Sequence, residues 1–351
     1  MKILMSCPSV RIPAKMAQSI HQMEFYENLI ELGHDVDIVS REGEGETDID
    51  INKVFSRDIP LSRIFFNIDT KFKLKKLLDQ NDYDIIHDRG YLFGGTATKL
   101  AEKCDLPTVL QIDDDWIGME HRHSQYMRLP FMHSYSKGFC RRLIDRTTRG
   151  FTVSRALRDI IERSWEADTS KIDVVPNGVD PERFKPMSKD PTLKERYDLS
   201  GKTMVFVGKL GPWHGIDILL KAAPKIKERY PDFKVLIVGG DPQDVAKYRK
   251  KAGDEVVFTG KVPYEEVPRY INLADLCVAP YPNIEYGFSP FKIFEYMACE
   301  KPVIASDLPS LREILSEDTA VLFKAGDPYK LAESAVDAMN EDLDMMGKRA
   351  R

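Results

Sequence analysis

The strongest constraint on the fold of this chain is the alternation of short apolar runs with helical patterns along its whole length. Runs such as 205–207 and 235–238 are apolar throughout, which is typical of parallel strands covered by helices on both faces. Segments between the runs carry apolar positions at helical spacing, as in a helix predicted over 16–32. This alternation predicts doubly wound α/β domains. We expect strands at 3–6, 36–40, 84–87, 108–112, 150–153 and 173–175, and then at 204–208, 234–239, 256–259, 275–280, 302–306 and 320–323.

The 351 residues suffice for two such domains, each with its own core. The boundary is predicted in 176–186, where three prolines and the pair Asn177-Gly178 interrupt helical continuity. We therefore expect a Rossmann-like N-terminal domain over 1–180 and a Rossmann-like C-terminal domain over 181–351. Two doubly wound domains facing each other leave a cleft at the carboxyl ends of their sheets, where such folds bind ligands.

Charge and cysteine usage narrow the class of protein. A formal net charge of −5 argues against nucleic-acid binding through positive potential. Five scattered cysteines without a C-x-x-C pair indicate reduced thiols in a cytoplasmic protein. The first residues read as a buried strand rather than a signal peptide, and no apolar run approaches the roughly 20 residues that span a bilayer. The fingerprint G-x-G-x-x-G is absent, which argues against a dehydrogenase.

Three segments form a distinctive set: 174–180 (VVPNGVD), 206–217 (FVGKLGPWHGID) and 287–298 (GFSPFKIFEYMA), the last followed by KPVIA at 301–305. In this order and spacing, the chain resembles the family 4 glycosyltransferases of the GT-B fold. The resemblance implies transfer of a sugar from a nucleotide diphosphate-sugar, with UDP or GDP as the expected nucleotide, to an unidentified acceptor in cell-envelope glycan biosynthesis. It also implies retention at the anomeric carbon and no need for a metal ion or other cofactor.

The resemblance assigns roles within these segments. The family usually has an arginine after Gly208 and a lysine before Gly215, both on the diphosphate, and this chain has Lys209 and His214 there. A histidine is only partly cationic near neutral pH. The third segment is a loop entering a helix, with Ser289, Pro290 and Phe291 expected in the first turn. The free N–H groups and positive dipole end of this helix form an anion site. Glu295 would hold both ribose hydroxyls. The nucleotide-sugar set is Lys209, His214, Val262, Gly287, Phe288, Ser289, Pro290, Phe291, Lys292 and Glu295, with Lys209 and Glu295 also proposed as catalytic. The alternatives are an ordinary solvated side chain for Lys209, a helix-start residue for His214, and a helix-surface glutamate near Lys292 without a ligand for Glu295.

The chain departs from the family pattern at three places. The family usually has a second glutamate, on the transferred sugar, where this chain has Gly287, and Glu285 is a candidate replacement. A glycine pair after the first strand is replaced by 13–17 (PAKMA), in which Lys15 would attract an anion or the segment is a plain loop. A histidine close to the transferred sugar is replaced by Asp113.

Polar residues follow two predicted strands of the first half. Asp113 is a third catalytic candidate, for contact with the sugar or for stabilising oxocarbenium-like charge. The alternatives for 113–115 (DDD) are an N-cap of the next helix and a metal site, although we expect no metal. The candidate acceptor side consists of Lys15, His87, Arg89 and Asp114. A structural role is the alternative for His87.

A basic stretch interrupts this acidic chain. Residues 121–149 contain seven Lys or Arg and one acid, interleaved with apolar side chains at roughly helical spacing. Such a helix can lie on an anionic membrane surface, and Lys71, Lys73, Lys75 and Lys76 would extend the same face. The hypothesis is peripheral contact with the inner face of a membrane and a lipid-linked or membrane-proximal acceptor. The alternative is a solvated helix whose apolar side packs on its own sheet.

Other functions remain open from the residues. The departures from the family pattern fit a non-catalytic nucleotide-sugar or partner-binding protein of the same fold. A nucleotide-sugar epimerase would also use a two-domain cleft, and a two-lobed solute-binding receptor is a more distant alternative. Family members usually continue past the helix predicted over 329–340 into a final helix that crosses back to the first domain. Here 347–351 resembles the start of that helix, which we expect to be missing or truncated.

Overall fold

The computed structural model describes residues 1–14, 16–54, 62–123, 129–283, 287–341 and 343–351. The chain divides into two compact units. The first unit comprises Met1–Pro176 together with Gly287 and Phe288, and the second unit comprises the other described residues from Asn177 to Arg351. The division at Pro176 and Asn177 lies within the proline-rich segment in which the sequence predicts the boundary.

The first unit is built on a parallel sheet of seven strands in the order β3-β2-β1-β4-β5-β6-β7. The strands are β1 (Lys2–Ile12), β2 (Asp35–Glu42), β3 (Ile51–Val54), β4 (Ile85–Arg89), β5 (Thr108–Ile112), β6 (Arg149–Thr152) and β7 (Ile172–Val174). The helices are α1 (Ala17–Glu31), α2 (Ser62–Gln80), α3 (Thr96–Lys103), α4 (Trp116–His123), α5 (Pro130–Arg146) and α6 (Arg155–Ser164). Because connections between parallel strands are crossovers, the helices cover the sheet as the alternation predicts.

Two strands of the first unit differ from the prediction. β3 was not predicted, because its sequence Ile-Asn-Lys-Val contains no continuous apolar run. β1 continues past Ser6 to Ile12, with a register shift against β2 between Cys7 and Arg11. The buried side chains of Val10 and Ile12 hold this second part of the strand, which the predicted strand over 3–6 does not include.

The second unit is built on a parallel sheet of six strands in the order β10-β9-β8-β11-β12-β13. The strands are β8 (Thr203–Val207), β9 (Lys234–Val238), β10 (Val256–Gly260), β11 (Leu276–Ala279), β12 (Val303–Asp307) and β13 (Ala320–Lys324). The helices are α7 (Pro191–Arg196), α8 (Ile216–Arg229), α9 (Pro242–Arg249), α10 (Val267–Ile271), α11 (Phe291–Ala298), α12 (Pro309–Arg312), α13 (Pro328–Met339) and α14 (Asp344–Ala350). All six predicted strands are present, with ends that differ by at most one residue.

Each unit has its own core, made by the apolar runs and the inward faces of the helices. In the second unit, Phe206, Ile237 and Val278 are buried in one cluster with apolar residues of α8 and α13. The chain-end helix α14 contacts α11, and the guanidinium group of Arg351 donates to the carbonyl oxygen of Ala298. None of the helices in the described part of the chain combines the length and the apolar character needed to cross a membrane.

Candidate functional site

The loops that follow β8 and β11 of the second sheet lead into two of the motif segments, 206–217 and 287–298. Strand order reverses between β8 and β11, so the loops that follow these two strands flank a topological switch point, where doubly wound sheets bind ligands. Gly208 follows β8 with φ +141°, and its N–H donates to the carbonyl oxygen of Val238 at 2.9 Å. Lys209 comes next, is exposed, and forms no hydrogen bond or ion pair with any described residue. Its ammonium group is therefore available to a ligand.

The loop after β8 ends in a tight turn directly before α8. Residues Pro212–His214 form one 3₁₀ turn, and Gly215 follows with φ +72°, the left-handed region that favours glycine. A Cβ atom on Gly215 would lie 1.5 Å from the carbonyl oxygen of Pro280, at the end of β11. Glycine is therefore required here both by backbone conformation and by close approach of two chain segments.

The His214 side chain is partly buried behind this turn. Its Nδ1 atom is buried and has no hydrogen-bond partner among the described residues. Burial, with smaller contributions from the charges of Lys292 and Lys209, lowers the pKa of His214 to about 3. The sequence predicts a partly cationic imidazole at this position, and the structure corrects this, because the ring is neutral near pH 7.

The third motif segment enters α11 later than the sequence predicts. Ser289, Pro290 and Phe291 were expected in the first helical turn, but α11 begins at Phe291 and Pro290 is extended. Ser289 is held outside the helix by Asn177, whose backbone N–H donates to the Ser289 hydroxyl at 3.2 Å. The Asn177 side-chain amide also donates to the Ser289 carbonyl oxygen at 2.6 Å. The VVPNGVD motif therefore supports the approach to α11.

Lys292 and Glu295 lie one turn apart on α11, and both are buried. The Lys292 Nζ atom lies 3.9 Å from the centroid of the Phe206 ring and has no hydrogen-bond partner among the described residues. Burial lowers the pKa of Lys292 to about 7, and the charge of Glu295 opposes this shift. Burial likewise raises the pKa of Glu295 to about 7, against the effects of a Tyr264 hydrogen bond and the Lys292 charge. Two buried titratable groups with such shifts mark a candidate functional site.

Tyr264 contacts Glu295, whereas the sequence predicts only that the turn 262–264 (VPY), after a strand and before a helix, lies near the base. Its hydroxyl donates to Glu295 Oε1 at 3.2 Å. The Phe184 ring and the Arg183 guanidinium group lie beside the Tyr264 ring, each at 5.4 Å. Val262, which the sequence expects near the base, is half-buried just before Tyr264. Phe184 and Arg183 follow the VVPNGVD motif, so this motif is the sequence signal from which their packing against Tyr264 could have been predicted.

Gly287 and Phe288 group with the first unit, and a Cβ on Gly287 would lie 2.3 Å from the Cα of Leu157. Glycine is thus needed at 287, where the family usually has a glutamate. Glu285, the candidate replacement for that glutamate, lies outside the described residues, and so does Lys15.

The polar ends of β4 and β5 in the first unit form a buried ion pair. Arg89 Nη2 lies 2.8 Å from Asp113 Oδ2, and the Gln111 amide donates to Asp113 Oδ1 at 2.8 Å. Parallel pairing of β4 with β5 places Arg89 opposite Gln111, two residues before Asp113. Both oxygens of Asp113 therefore have protein partners, and its predicted contact with the sugar stays a prediction.

Asp115, which follows β5, has a structural role, whereas the acceptor contact predicted for Asp114 stays a prediction. Asp115 Oδ1 accepts from the Gly118 N–H at 3.0 Å and caps α4, which was one of the alternatives for 113–115. The same oxygen accepts from the indole N–H of Trp165 at 2.9 Å. Asp114 is half-buried between the two. The described residues contain no group of three His, Cys, Asp or Glu that could hold a metal ion.

His87 is a core residue of the first unit. It is buried, with the Phe25 ring at 5.0 Å and the Phe151 ring stacked at 6.2 Å. Burial lowers the pKa of His87 to about 4, so the imidazole is neutral near pH 7. The contacts favour the structural role for His87 over contact with an acceptor.

Each unit matches a family of known proteins. The family described as "Glycosyltransferase Family 4" matches residues 18–183, and the family described as "Glycosyl transferases group 1" matches residues 201–341. The chain is 26% identical to a phosphatidyl-myo-inositol mannosyltransferase of Mycolicibacterium smegmatis, over 100% of this chain and 88% of that protein.

Solved structures share the fold of the whole chain. A sucrose-phosphate synthase from Thermosynechococcus elongatus superposes with a TM-score of 0.80 at 20% identity, covering 99% of this chain and 92% of that one. The Anabaena protein HepE, solved in complex with UDP and glucose, superposes with a TM-score of 0.73 at 15% identity, covering 100% of this chain and 93% of that one. With the motif segments and both family matches, the chain belongs to the family 4 glycosyltransferases and is a sugar-transferring enzyme of the GT-B fold.

Proposed function

We propose that the second unit binds a nucleotide diphosphate-sugar, with UDP or GDP as the nucleotide, and that the enzyme transfers the sugar with retention to a membrane-proximal acceptor. One observation carries the proposal: a loop with the available cation Lys209 lies at the same sheet edge as the buried pair Lys292 and Glu295. A diphosphate needs cations, and a ribose needs a carboxylate with free acceptor capacity. The relative HepE, solved with UDP and glucose, supports a donor of this class.

The chemistry follows from where charge develops. When the bond between the anomeric carbon and the phosphate oxygen breaks, negative charge increases on the departing diphosphate. The Lys209 ammonium group, held next to Gly208, is positioned to stabilise that charge. Glu295 would accept from the ribose hydroxyls while Tyr264 holds one of its oxygens. We propose that lysine side chains take the part that a metal ion plays in other sugar transferases.

Calorimetric titration of UDP, GDP, ADP and their glucose or mannose conjugates, with EDTA present, tests the donor class. We expect one nucleotide to bind in the micromolar range, and Lys209→Ala to weaken it by about tenfold through loss of one charge-assisted contact. Lys221→Met, on the exposed side of α8, is the control and should bind as the parent does. Analysis of products without acceptor separates transfer from epimerisation. If no nucleotide binds, the proposal fails.

We further propose that a surface on the first unit contacts anionic membranes. Phe72 on α2 and Phe131 and Tyr135 on α5 are 69%, 66% and 58% exposed. The two helices are linked through Phe93, whose ring lies 5.7 Å from Tyr135 and whose carbonyl oxygen accepts from Asn67. The same two helices carry exposed basic residues, namely Lys71, Lys75, Lys76, Arg142 and Arg146. Apolar side chains surrounded by cations are typical of interfacial membrane contact.

Sedimentation with vesicles tests this surface. Replacing Phe72 and Phe131 together with serine is expected to lower binding to anionic vesicles by about tenfold or more, since each ring contributes at least ~1 kcal/mol when buried. Tyr329→Ser on α13 is the matched control, because Tyr329 is 66% exposed in the second unit. Equal binding by the double variant, or no binding by the parent protein at low salt, would exclude this surface.

A further inference from the structure

We propose that Lys292 is the second cation of the diphosphate site, in place of the lysine that the family usually has before Gly215, where this chain has His214. The inference rests on the proposed function and assigns a particular role within it. The cation would have moved from the loop before α8 to the buried face of α11. Lys292 is then a catalytic residue, because it touches the diphosphate that leaves.

His214 is poorly suited to the role. Its ring is partly buried, and burial together with Lys292 and Lys209 keeps the imidazole neutral near pH 7. A neutral imidazole donates one hydrogen bond but adds no charge. A site that loses the lysine at 214 therefore needs another cation to neutralise a diphosphate.

Lys292 lies where that cation is needed. Its Nζ atom is 3.0 Å from the position that a Cβ of Gly208 would occupy, so it reaches the backbone next to Lys209 from the α11 side. Gly208 leaves room for this approach because it has no side chain. The three N–H donors of Lys292 form no hydrogen bond with any described residue, and Lys292 is only 8% exposed. A buried ammonium group without an acceptor costs free energy that an anionic ligand would recover.

The side chains around the Lys292 ammonium group leave its N–H donors available to a ligand. The Phe206 and Tyr281 rings lie 3.9 Å and 5.6 Å from Nζ, and ring faces attract cations without engaging the N–H donors. The charged or titratable groups that act on it among the described residues are Glu295 and His214, with the Tyr281 phenol. Since burial lowers the pKa of Lys292 to about 7, only part of the population is charged at pH 7.5. A bound diphosphate raises that pKa again, so binding takes up protons.

Lys292 forms and breaks no covalent bond in the transfer step. The bond from the anomeric carbon to the diphosphate oxygen breaks, and its electron pair stays on that oxygen. A bond forms from an acceptor hydroxyl oxygen to the anomeric carbon, and the hydroxyl proton leaves with the nucleoside diphosphate. Lys292 enters and leaves the step as an ammonium group, and stabilises the oxygen charge in between.

The test compares Lys292→Met with His214→Gln, and uses Lys221→Met as control. For the nucleoside diphosphate selected by calorimetry, we expect Lys292→Met to weaken binding by about 30-fold and binding of the nucleoside alone by no more than about threefold. His214→Gln should weaken diphosphate binding less, by about threefold. Lys292→Met removes an unpaired buried charge, so it should unfold at a temperature no lower than the parent protein.

Proton uptake gives a second readout. Titrations at pH 8 in buffers of different ionisation enthalpy should show protons taken up by the parent protein and by His214→Gln, and fewer by Lys292→Met, in which only Glu295 still titrates beside the diphosphate. If diphosphate affinity depends on His214 and not on Lys292, or if uptake by Lys292→Met equals that of the parent protein, the inference is overturned and the proposed function stands. If the parent protein binds no nucleoside diphosphate, the proposed function itself falls.

Discussion

Replacing Glu295 with glutamine is expected to lower sugar transfer by about 100-fold, which corresponds to ~2.7 kcal/mol of transition-state stabilisation. The carboxylate is buried on α11, and one of its oxygens already accepts from Tyr264. Glutamine keeps the shape but loses one acceptor oxygen and the negative charge. The charge matters twice, because it also raises the pKa of Lys292. Loss of Glu295 should therefore weaken both the ribose contact and the cation next to the diphosphate.

Discrimination between ribose and deoxyribose measures this role directly. The parent protein should bind the selected nucleoside diphosphate more tightly than its 2′,3′-dideoxy form, and Glu295→Gln should lose most of that difference. Glu228→Gln on α8 exchanges an exposed glutamate in the same unit and is the matched control. A Glu295→Gln enzyme that still prefers the ribose form and keeps full transfer rate would show that Glu295 does not hold the ribose.

Replacing Gly215 with alanine is expected to destabilise the second unit by about 3–5 kcal/mol and to abolish donor binding. The new Cβ would lie 1.5 Å from the Pro280 carbonyl oxygen, on a backbone with φ +72°. The turn before α8 would have to separate from the end of β11. Thermal unfolding followed by circular dichroism, with limited proteolysis to identify the affected unit, measures the change.

Gly178→Ala is the control for that variant. Gly178 also belongs to a motif segment of the second unit, but a Cβ there would meet nothing within 4 Å, and its φ is not positive. We expect the melting temperature of Gly178→Ala to stay within about 2 °C of the parent protein, as for an ordinary surface change. If Gly215→Ala unfolds at the parent temperature, the close approach to Pro280 does not exist in the molecule.

The sequence predicts the architecture well because the fold depends on local patterns. Twelve apolar runs predict the positions of β1, β2 and β4 to β13, since buried parallel strands need continuous apolar residues. β3 has no such run, and its place at the sheet edge depends on pairing with β2. The start of α11 was predicted too early, because the bonds from Asn177 to Ser289 join positions 112 residues apart.

The candidate site is harder to predict, because its chemistry depends on which residues meet. Lys292 and Gly208 are far apart in sequence, so the unpaired ammonium group next to the Lys209 loop appears only in the structure. Asp113 and Arg89 were assigned separately, to sugar and acceptor. The register of β4 against β5 brings them together as an ion pair. The neutral state of His214 likewise depends on its burial, which residue types do not reveal.

If the second unit holds a sugar nucleotide by its negative diphosphate, a crystal structure of the protein with the selected nucleoside diphosphate will show the contacts. We expect phosphate oxygens within about 3 Å of the Lys209 and Lys292 ammonium groups, and ribose hydroxyls on the Glu295 carboxylate. A diphosphate bound elsewhere, with Lys209 and Glu295 directed away from it, would rule out this mode of binding.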